Sequence, residues 1–524
     1  MNYTLSDLIA LVLNGARILS TEKGALEVEE DNRGLMCLVE IPRQPGRCIL
    51  AVSSSHRLDP HVLSYHETAR RHGFECEVIT CGMRNVLDLY RLGKGRQRQS
   101  VGSESEAQRY IVDLIREATA MRASDLHIVA RHDYCEIRCR IDGYLRPVEQ
   151  LRPDEGLRIC ATIYQSMCDV AEPTFKPMQA QRARMKDEFL SECGLSGARI
   201  NTRPLDRGMM MVLRLLYADS PGAAPKLADL GYLPEQCEAI EELMEHRTGV
   251  VLLSGPTGSG KSTTLKVVMQ KLMAEHTGIH LLTLEDPPEY EIEGANQSPV
   301  SGERGSSAGV EQEWANAIAD AMRLDPDVIM VGEVRDAVTA KMAFRAAMTG
   351  HLIWTTIHAN DALAILPRLE DEGVMQSLLT DSSLVIGLVN QSLVQRLCNE
   401  CSIPLKGNEE LLGERLMKRL TRYCDLDGVR LQGDGCERCK QQGTAGRTVV
   451  AEVIRTSPGL MQAYIRGHHL EATRHWIQEG GGIGKADALI RKINQGIVDP
   501  RAGERIVGPI RSTGASFHLP DAIS

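Results

Sequence analysis

Eight residues of the 524-residue chain, Gly255-Pro-Thr-Gly-Ser-Gly-Lys261-Ser262, have the types and spacing of a loop that cradles a nucleoside triphosphate. Glycines 255, 258 and 260 let the backbone curl until its N–H groups face the β-phosphate, and the helix that follows turns its positive end to the same group. Lys261 is expected to reach the β- and γ-phosphates and Ser262 to offer its hydroxyl to Mg²⁺, with Pro256, Thr257, Ser259 and Thr263 completing the binding run. Hydrolysis also needs one carboxylate near Mg²⁺ and another to orient the attacking water. Two stretches supply acids just after a strand: Val328-Ile-Met-Val331-Gly-Glu333, and Thr283-Leu-Glu285-Asp286-Pro-Pro-Glu289-Tyr290, whose prolines stiffen the spacing. Asp327 begins its strand and reads as structural.

A second group of residues has metal chemistry. Cys398-x-x-Cys401 and Cys436-x-x-Cys439 are two knuckles that can close on one tetrahedral Zn²⁺, with Gly435 and Gly443 allowing the tight backbone. Four sulfur ligands leave no open position for water, so the metal is expected to be structural. Cys135, Cys139 and Cys424 read as core or surface thiols.

These groups need elements to hold them. An apolar strand at Val250–Leu253 precedes the phosphate loop and a helix pattern at Ser262–Ala274 follows it. Further strands at His280–Leu284, Val328–Val331 and Leu352–Thr356 alternate with helices, the pattern of a mostly parallel sheet with crossover helices. Upstream, a helix at Ala107–Met121 and strands at Leu126–Ala130, Tyr134–Ile141 and Met209–Leu215 read as α+β. Residues 1–93, with strands at Cys48–Val52 and Glu77–Thr80 and a helix at His61–His72, read as a small α/β domain. The polar run Lys94–Glu106 reads as a linker, and Tyr217–Lys226, rich in Pro, Gly and Ala, as a hinge. The expected division is 1–100, 101–218, 219–396 (the ATPase domain), 397–445 (tetracysteine) and 446–524 (helical).

Composition is that of a globular chain, 43% hydrophobic and 25% charged, and only 4% aromatic, so aliphatic residues must fill the cores. A net charge of −10 speaks against a large nucleic-acid footprint, which needs a local excess of cations. No apolar run reaches 18 residues and the first residues lack a signal-peptide pattern, so a cytoplasmic protein with reduced thiols is expected.

On four boxes in fixed order the sequence resembles the secretion ATPase superfamily of type II secretion and type IV pilus assembly. The boxes are the phosphate loop Gly255–Thr263, the acidic box Thr283–Tyr290, the Walker B stretch Arg323–Asp336 and a His box from Thr349 to Ala362. The resemblance covers roughly residues 105–500. It implies a RecA-like P-loop domain preceded by a PAS-like α+β subdomain and a small N-terminal α/β domain. It assigns Glu289 as the water-activating base, Glu333 as the Walker B acid near Mg²⁺, directly or through water, and His351 and His358 as sensors linking the γ-phosphate to the sheet. Ala123–Ile128 and Ile137–Leu145 resemble the family's upstream subdomain, and Arg199–Arg214 its arginine-bearing strand pair, from which Arg199, Arg207 and Arg214 would neutralise charge on the γ-phosphate. The chain departs from the pattern at Gly208-Met209, where Gly-Glu is usual, at Ala319 in place of an arginine, and in an enlarged polar loop at Ser298–Gly309.

The resemblance further implies ATP, Mg²⁺ and Zn²⁺ as ligands, a homo-hexameric ring and an inner-membrane platform protein as partner, with the chain peripheral to that membrane. The tetracysteine region resembles the assembly and export motors more than the retraction motors. The competing reading is a nucleic-acid-translocating or conjugative type IV secretion ring ATPase, against which stand the acidic balance and the lack of an aromatic-basic stripe.

Overall fold

A computed structural model describes residues 3–513, apart from 14–15, 22–25, 30–31, 42–43, 45, 95–103, 170–173, 219–225, 277, 287 and 301–306. Most of the expected linker, most of the expected hinge and the centre of the enlarged polar loop therefore lie outside the described residues. The chain forms two compact units: Met1–Ser220 with Cys398–Cys401 and Gly433–Gly443, and the remainder.

In the first unit, strands Met36–Glu40 (β1), Arg47–Ser53 (β2) and Glu75–Cys81 (β3) form a small sheet, antiparallel between β1 and β2 and parallel between β2 and β3. Alternation sends Cys37, Val39 and Ile49 to one core and Leu38, Cys48 and Leu50 to the other, so both faces are covered. The larger sheet of this unit holds Ala123–Arg131 (β4), Cys135–Ile141 (β5), Tyr144–Leu151 (β6), Cys168–Asp169 (β7), Arg182–Met185 (β8), Leu195–Leu205 (β9) and Gly208–Tyr217 (β10). It is antiparallel throughout, in the order β6-β5-β4-β10-β9-β8-β7. Helices Glu104–Ala120 and Pro153–Ser166 bury one face through Ile111, Leu114, Ile115, Ile159 and Ile163. Gly208, in the departure noted above, has φ +126°, and a Cβ there would lie 2.1 Å from the Ala130 carbonyl oxygen, so the β9–β10 turn requires glycine.

The second unit is built on Gly249–Ser254 (β11), Leu281–Glu285 (β12), Asn296–Pro299 (β13), Val328–Val331 (β14), Leu352–Ile357 (β15) and Val385–Leu397 (β16), with a two-residue pair at Ile403–Pro404 (β17) and Arg430–Leu431 (β18), and Thr444–Arg455 (β19). The main sheet runs β13-β12-β14-β15-β11-β16-β19, parallel except for β19. β11 and β15 are buried along their whole lengths, which explains their unbroken apolar runs: helices cover both faces of such a sheet. This is the expected α/β fold.

Two expectations about the carboxyl-terminal third need correcting. The region expected to be a helical tail from 446 opens with β19, which pairs with β16 over residues Thr444 to Arg455. The expected tetracysteine region 397–445 is divided: only its knuckles group with the first unit. Between them Leu405, Leu412, Leu420 and Leu431 share a core with Leu489, Ile493 and Val498 of the second. Both follow from pairings between residues far apart in sequence, which a local pattern does not show.

Candidate nucleotide-hydrolysing site

The phosphate loop leaves the carboxyl end of β11 and enters helix Lys261–Glu275, so the strand aims it and the helix terminus backs it. Gly255, Gly258 and Gly260 have φ of +143°, +78° and +88°, as the curl requires. A Cβ on Gly255 would come within 2.2 Å of the Gln391 carbonyl oxygen. The loop is braced from the neighbouring strand: Gln391 Nε2 donates to the Ser259 carbonyl at 2.8 Å, and Tyr232 donates its hydroxyl to Gln391 Oε1 at 2.5 Å. Asn390 Nδ2 donates to Ser254 Oγ at 2.7 Å. Sequence reading missed these residues. The signal was an Asn-Gln pair, fully buried, directly after the apolar run Val385–Val389 of β16.

Lys261 Nζ donates to the Gly255 carbonyl at 2.9 Å. Burial lowers its pKa, and the Glu333 carboxylate partly opposes that. Glu333 lies two residues beyond β14. Its Oε1 is 2.9 Å from His358 Nε2 and its Oε2 accepts from Arg335 Nε at 2.6 Å. His358 Nδ1 lies 3.2 Å from the Gly255 carbonyl oxygen. The ring thus bridges a carboxylate and a backbone carbonyl, one on each nitrogen. Asp336, from the same stretch, caps helix Ala337–Met348 by accepting from Val338 N and Thr339 N.

The acidic box follows β12. Gln297 holds it by donating to the Tyr290 carbonyl at 2.9 Å and accepting from Ile292 N at 2.9 Å. Tyr290 lies 3.4 Å from Thr263 Oγ1 and under the Lys266 ammonium, 4.7 Å from its ring centre, which ties the Glu289 segment to the helix behind the phosphate loop. Glu289 is half-buried.

His351 does not join this group. It precedes β15, its carbonyl accepts from Gly249 N, and its ring bonds the Ala346 carbonyl at 2.9 Å. β11 and β15 are parallel, with Gly249 opposite Leu352 and Ser254 opposite Ile357. His351 therefore stands at the amino end of the sheet, about 20 Å of strand from the loop, and the sensor role expected for it is corrected to a structural one.

The arginines belong to the first unit. Arg199 and Arg214 are register partners on β9 and β10, Arg214 pairs with Asp125 at 3.1 Å, and Arg207 lies exposed in the turn between those strands.

The residues present fit Mg²⁺-ATP and zinc. Ser259 Oγ in the glycine-lined loop is buried with no hydrogen-bond partner among the described residues, as expected of a group that an oxyanion would satisfy. In the cysteine cluster, Sγ atoms of Cys398 and Cys436, Cys401 and Cys439, and Cys436 and Cys439 are each 3.7 Å apart, and all four lie within 4.8 Å of one another. Zinc–sulfur bonds of about 2.3 Å in a tetrahedron require sulfur separations of roughly this size. Burial raises the Cys439 pKa, but the amide hydrogens of Cys436, Gly443 and Gln442 overcome it and bring the thiol down to about 7, while burial and the neighbouring thiols push Cys401 up, so without a metal the cluster concentrates its negative charge on Cys439. Besides Gly435 and Gly443, Lys440 and Gln441 adopt left-handed backbone here, at φ +52° and +60°.

The family of type II/IV secretion system proteins matches residues 101–502. The chain is 36% identical to the type IV pilus assembly ATPase PilB of Thermus thermophilus over 70% of its own length, but spans only 39% of that relative. It is 34% identical to the type II secretion system protein E of Klebsiella pneumoniae, over 78% of this chain and 77% of the relative. Among solved structures, the ATPase DotB of Legionella pneumophila superposes with a TM-score of 0.52 at 20% identity, covering 76% of this chain and 95% of that one, a likeness of fold.

Proposed function

This chain belongs to the type II/IV secretion system protein family, and we propose that it is a Mg²⁺-dependent ATPase that powers assembly of a type IV pilus or a type II secretion pseudopilus. The observation that carries the hydrolytic part is the shared contact of His358 with the Glu333 carboxylate and the Gly255 carbonyl, which joins the Walker B acid, the His box and the phosphate loop. Ser262 and Glu333 would hold Mg²⁺, which supplies charge neutralisation at the phosphates. Lys261 binds the β- and γ-phosphates. Glu289 orients the attacking water and accepts its proton. Arg199, Arg207 and Arg214 supply cations to the transferring phosphoryl group.

The names of the relatives support the mechanical part: PilB is a pilus assembly ATPase and protein E belongs to a type II secretion system. On this reading the chain works as a homo-hexameric ring at the cytoplasmic face of an inner membrane, on a platform protein, with Zn²⁺ holding the cysteine knuckles. Among the described residues no helix is long and apolar enough to cross a membrane. The test is phosphate release by the purified chain with and without membranes carrying the platform protein. Hydrolysis stimulated by those membranes, and absent in Glu289→Gln, is expected. Stimulation by DNA and not by the membranes would favour the translocase reading instead.

A further inference from the structure

The loop that carries His358 is held at every residue, and part of that hold comes from the far carboxyl-terminal region. His358 bonds the Gly255 carbonyl. The Ala359 carbonyl accepts from Asn390 Nδ2 at 2.9 Å, and the Asn360 carbonyl from Lys485 Nζ at 2.6 Å. Asp361 Oδ1 lies 2.8 Å from His469 Nε2, and Ala362 N donates to Glu452 Oε2 at 2.9 Å. Lys485 is the hub. It is the first residue of helix Lys485–Asn494; its Nζ also donates to Asn390 Oδ1 at 2.6 Å, and its backbone N–H donates to Glu452 Oε1 at 3.2 Å. From that ammonium one path runs through Asn360 to His358, and another through Asn390 to Ser254, which immediately precedes Gly255.

We propose that Lys485 is a positioning residue for ATP hydrolysis, clamping the 358–362 loop against the strand end of β11 so that His358 stays on Glu333. A single ammonium suits the task because it carries three donors and here serves two acceptors on separate segments. Among the described residues the side chain bonds neither Lys261 nor Glu333, and its effect passes through the loop. Displacing a catalytic group by about 1 Å can cost on the order of a hundredfold in rate.

The inference deepens the function proposed above and rests on it. The experiment is steady-state hydrolysis by the full chain with Lys485→Met, Lys485→Arg, His358→Ala and the double variant His358→Ala/Lys485→Met. Lys485→Met is expected to lower kcat by roughly ten- to a hundredfold while KM for ATP moves little, because the phosphate loop is intact. Lys485→Arg, which keeps the charge and donors, should recover most of kcat. The double variant should be no slower than His358→Ala, since Lys485 acts through that loop. A Lys485→Met enzyme with unchanged kcat, or a double variant slowed by the product of the single effects, would overturn the inference. Should Lys485→Met lose the wild-type tryptophan spectrum, Lys485→Gln, which retains an amide donor, is read in its place against the same criteria. A wild-type chain that releases no phosphate would remove the proposed function and this inference together; an active wild type with an equally active Lys485→Met removes only the inference.

Discussion

Lys492 should make the second unit more stable as the solution becomes more alkaline. It is 4% exposed, and its Nζ donates to the Gly231 carbonyl at 2.5 Å and to Thr448 Oγ1 at 3.2 Å. Burial, reinforced by nearby Arg396, lowers its pKa from the ordinary 10.5 to about 8. That difference corresponds to about 3 kcal/mol, at about 1.36 kcal/mol for each tenfold change in proton affinity. Between pH 8 and 10.5 the unfolded chain binds the proton and the folded chain does not, so stability rises with pH; below 8 both hold it and the whole cost of burying the charge is present. Lys492→Met removes that cost but leaves the Gly231 carbonyl short of a donor, a loss of about 1–2 kcal/mol. The variant should therefore be the more stable protein at pH 7 by about 1–2 kcal/mol, and this advantage should shrink by about 2 kcal/mol by pH 9.5. The three tryptophans, Trp314, Trp354 and Trp476, all lie in the same unit, so urea unfolding followed by tryptophan fluorescence reads the relevant structure. A difference between the two proteins that stays constant from pH 7 to 9.5, or grows, would refute the assignment.

His358→Ala should lower phosphate release by at least about tenfold, whereas His351→Ala, at the other end of β15, should leave the rate within about twofold and act on stability by about 1 kcal/mol through its lost bond to Ala346; paired rate and melting measurements decide. Gly255→Ala should abolish ATP binding, measured with a fluorescent nucleotide, while the far-ultraviolet circular dichroism stays native, because the added Cβ meets the Gln391 carbonyl at 2.2 Å. Elemental analysis should find one zinc per chain and less than about a tenth of that in Cys401→Ser, with a lowered melting temperature, since metal binding to such sites is folding free energy. Full zinc content in that variant would exclude the four-cysteine site.

Much of the site could be read locally. The phosphate loop, the acids after β12 and β14, and the paired cysteines each occupy a few consecutive residues beside an apolar strand, so type and spacing reveal them. His351 was misjudged although the means to place it were present: His351 and His358 flank the six-residue strand β15, and an extended strand of that length puts its ends about 20 Å apart. Asn390, Gln391, Tyr232 and Lys485 act through bonds that close over long stretches of chain. Two adjacent amides directly after the apolar run Val385–Val389 hinted at something to satisfy, but not at which loop. β19 was hidden for a similar reason, because its pairing with β16, from Leu397 with Thr444 to Gly387 with Arg455, completes a sheet from residues far apart in sequence.

The central claim, that the loop beginning at Gly255 and the acids facing it form a hydrolytic centre, is tested most directly by single-turnover ATP hydrolysis with Mg²⁺ in the wild type, Lys261→Ala and Glu289→Gln. The account predicts phosphate release by the wild type, no measurable nucleotide binding by Lys261→Ala, and binding without release by Glu289→Gln. Wild-type rates in Lys261→Ala, or release by Glu289→Gln at the wild-type rate, would contradict it.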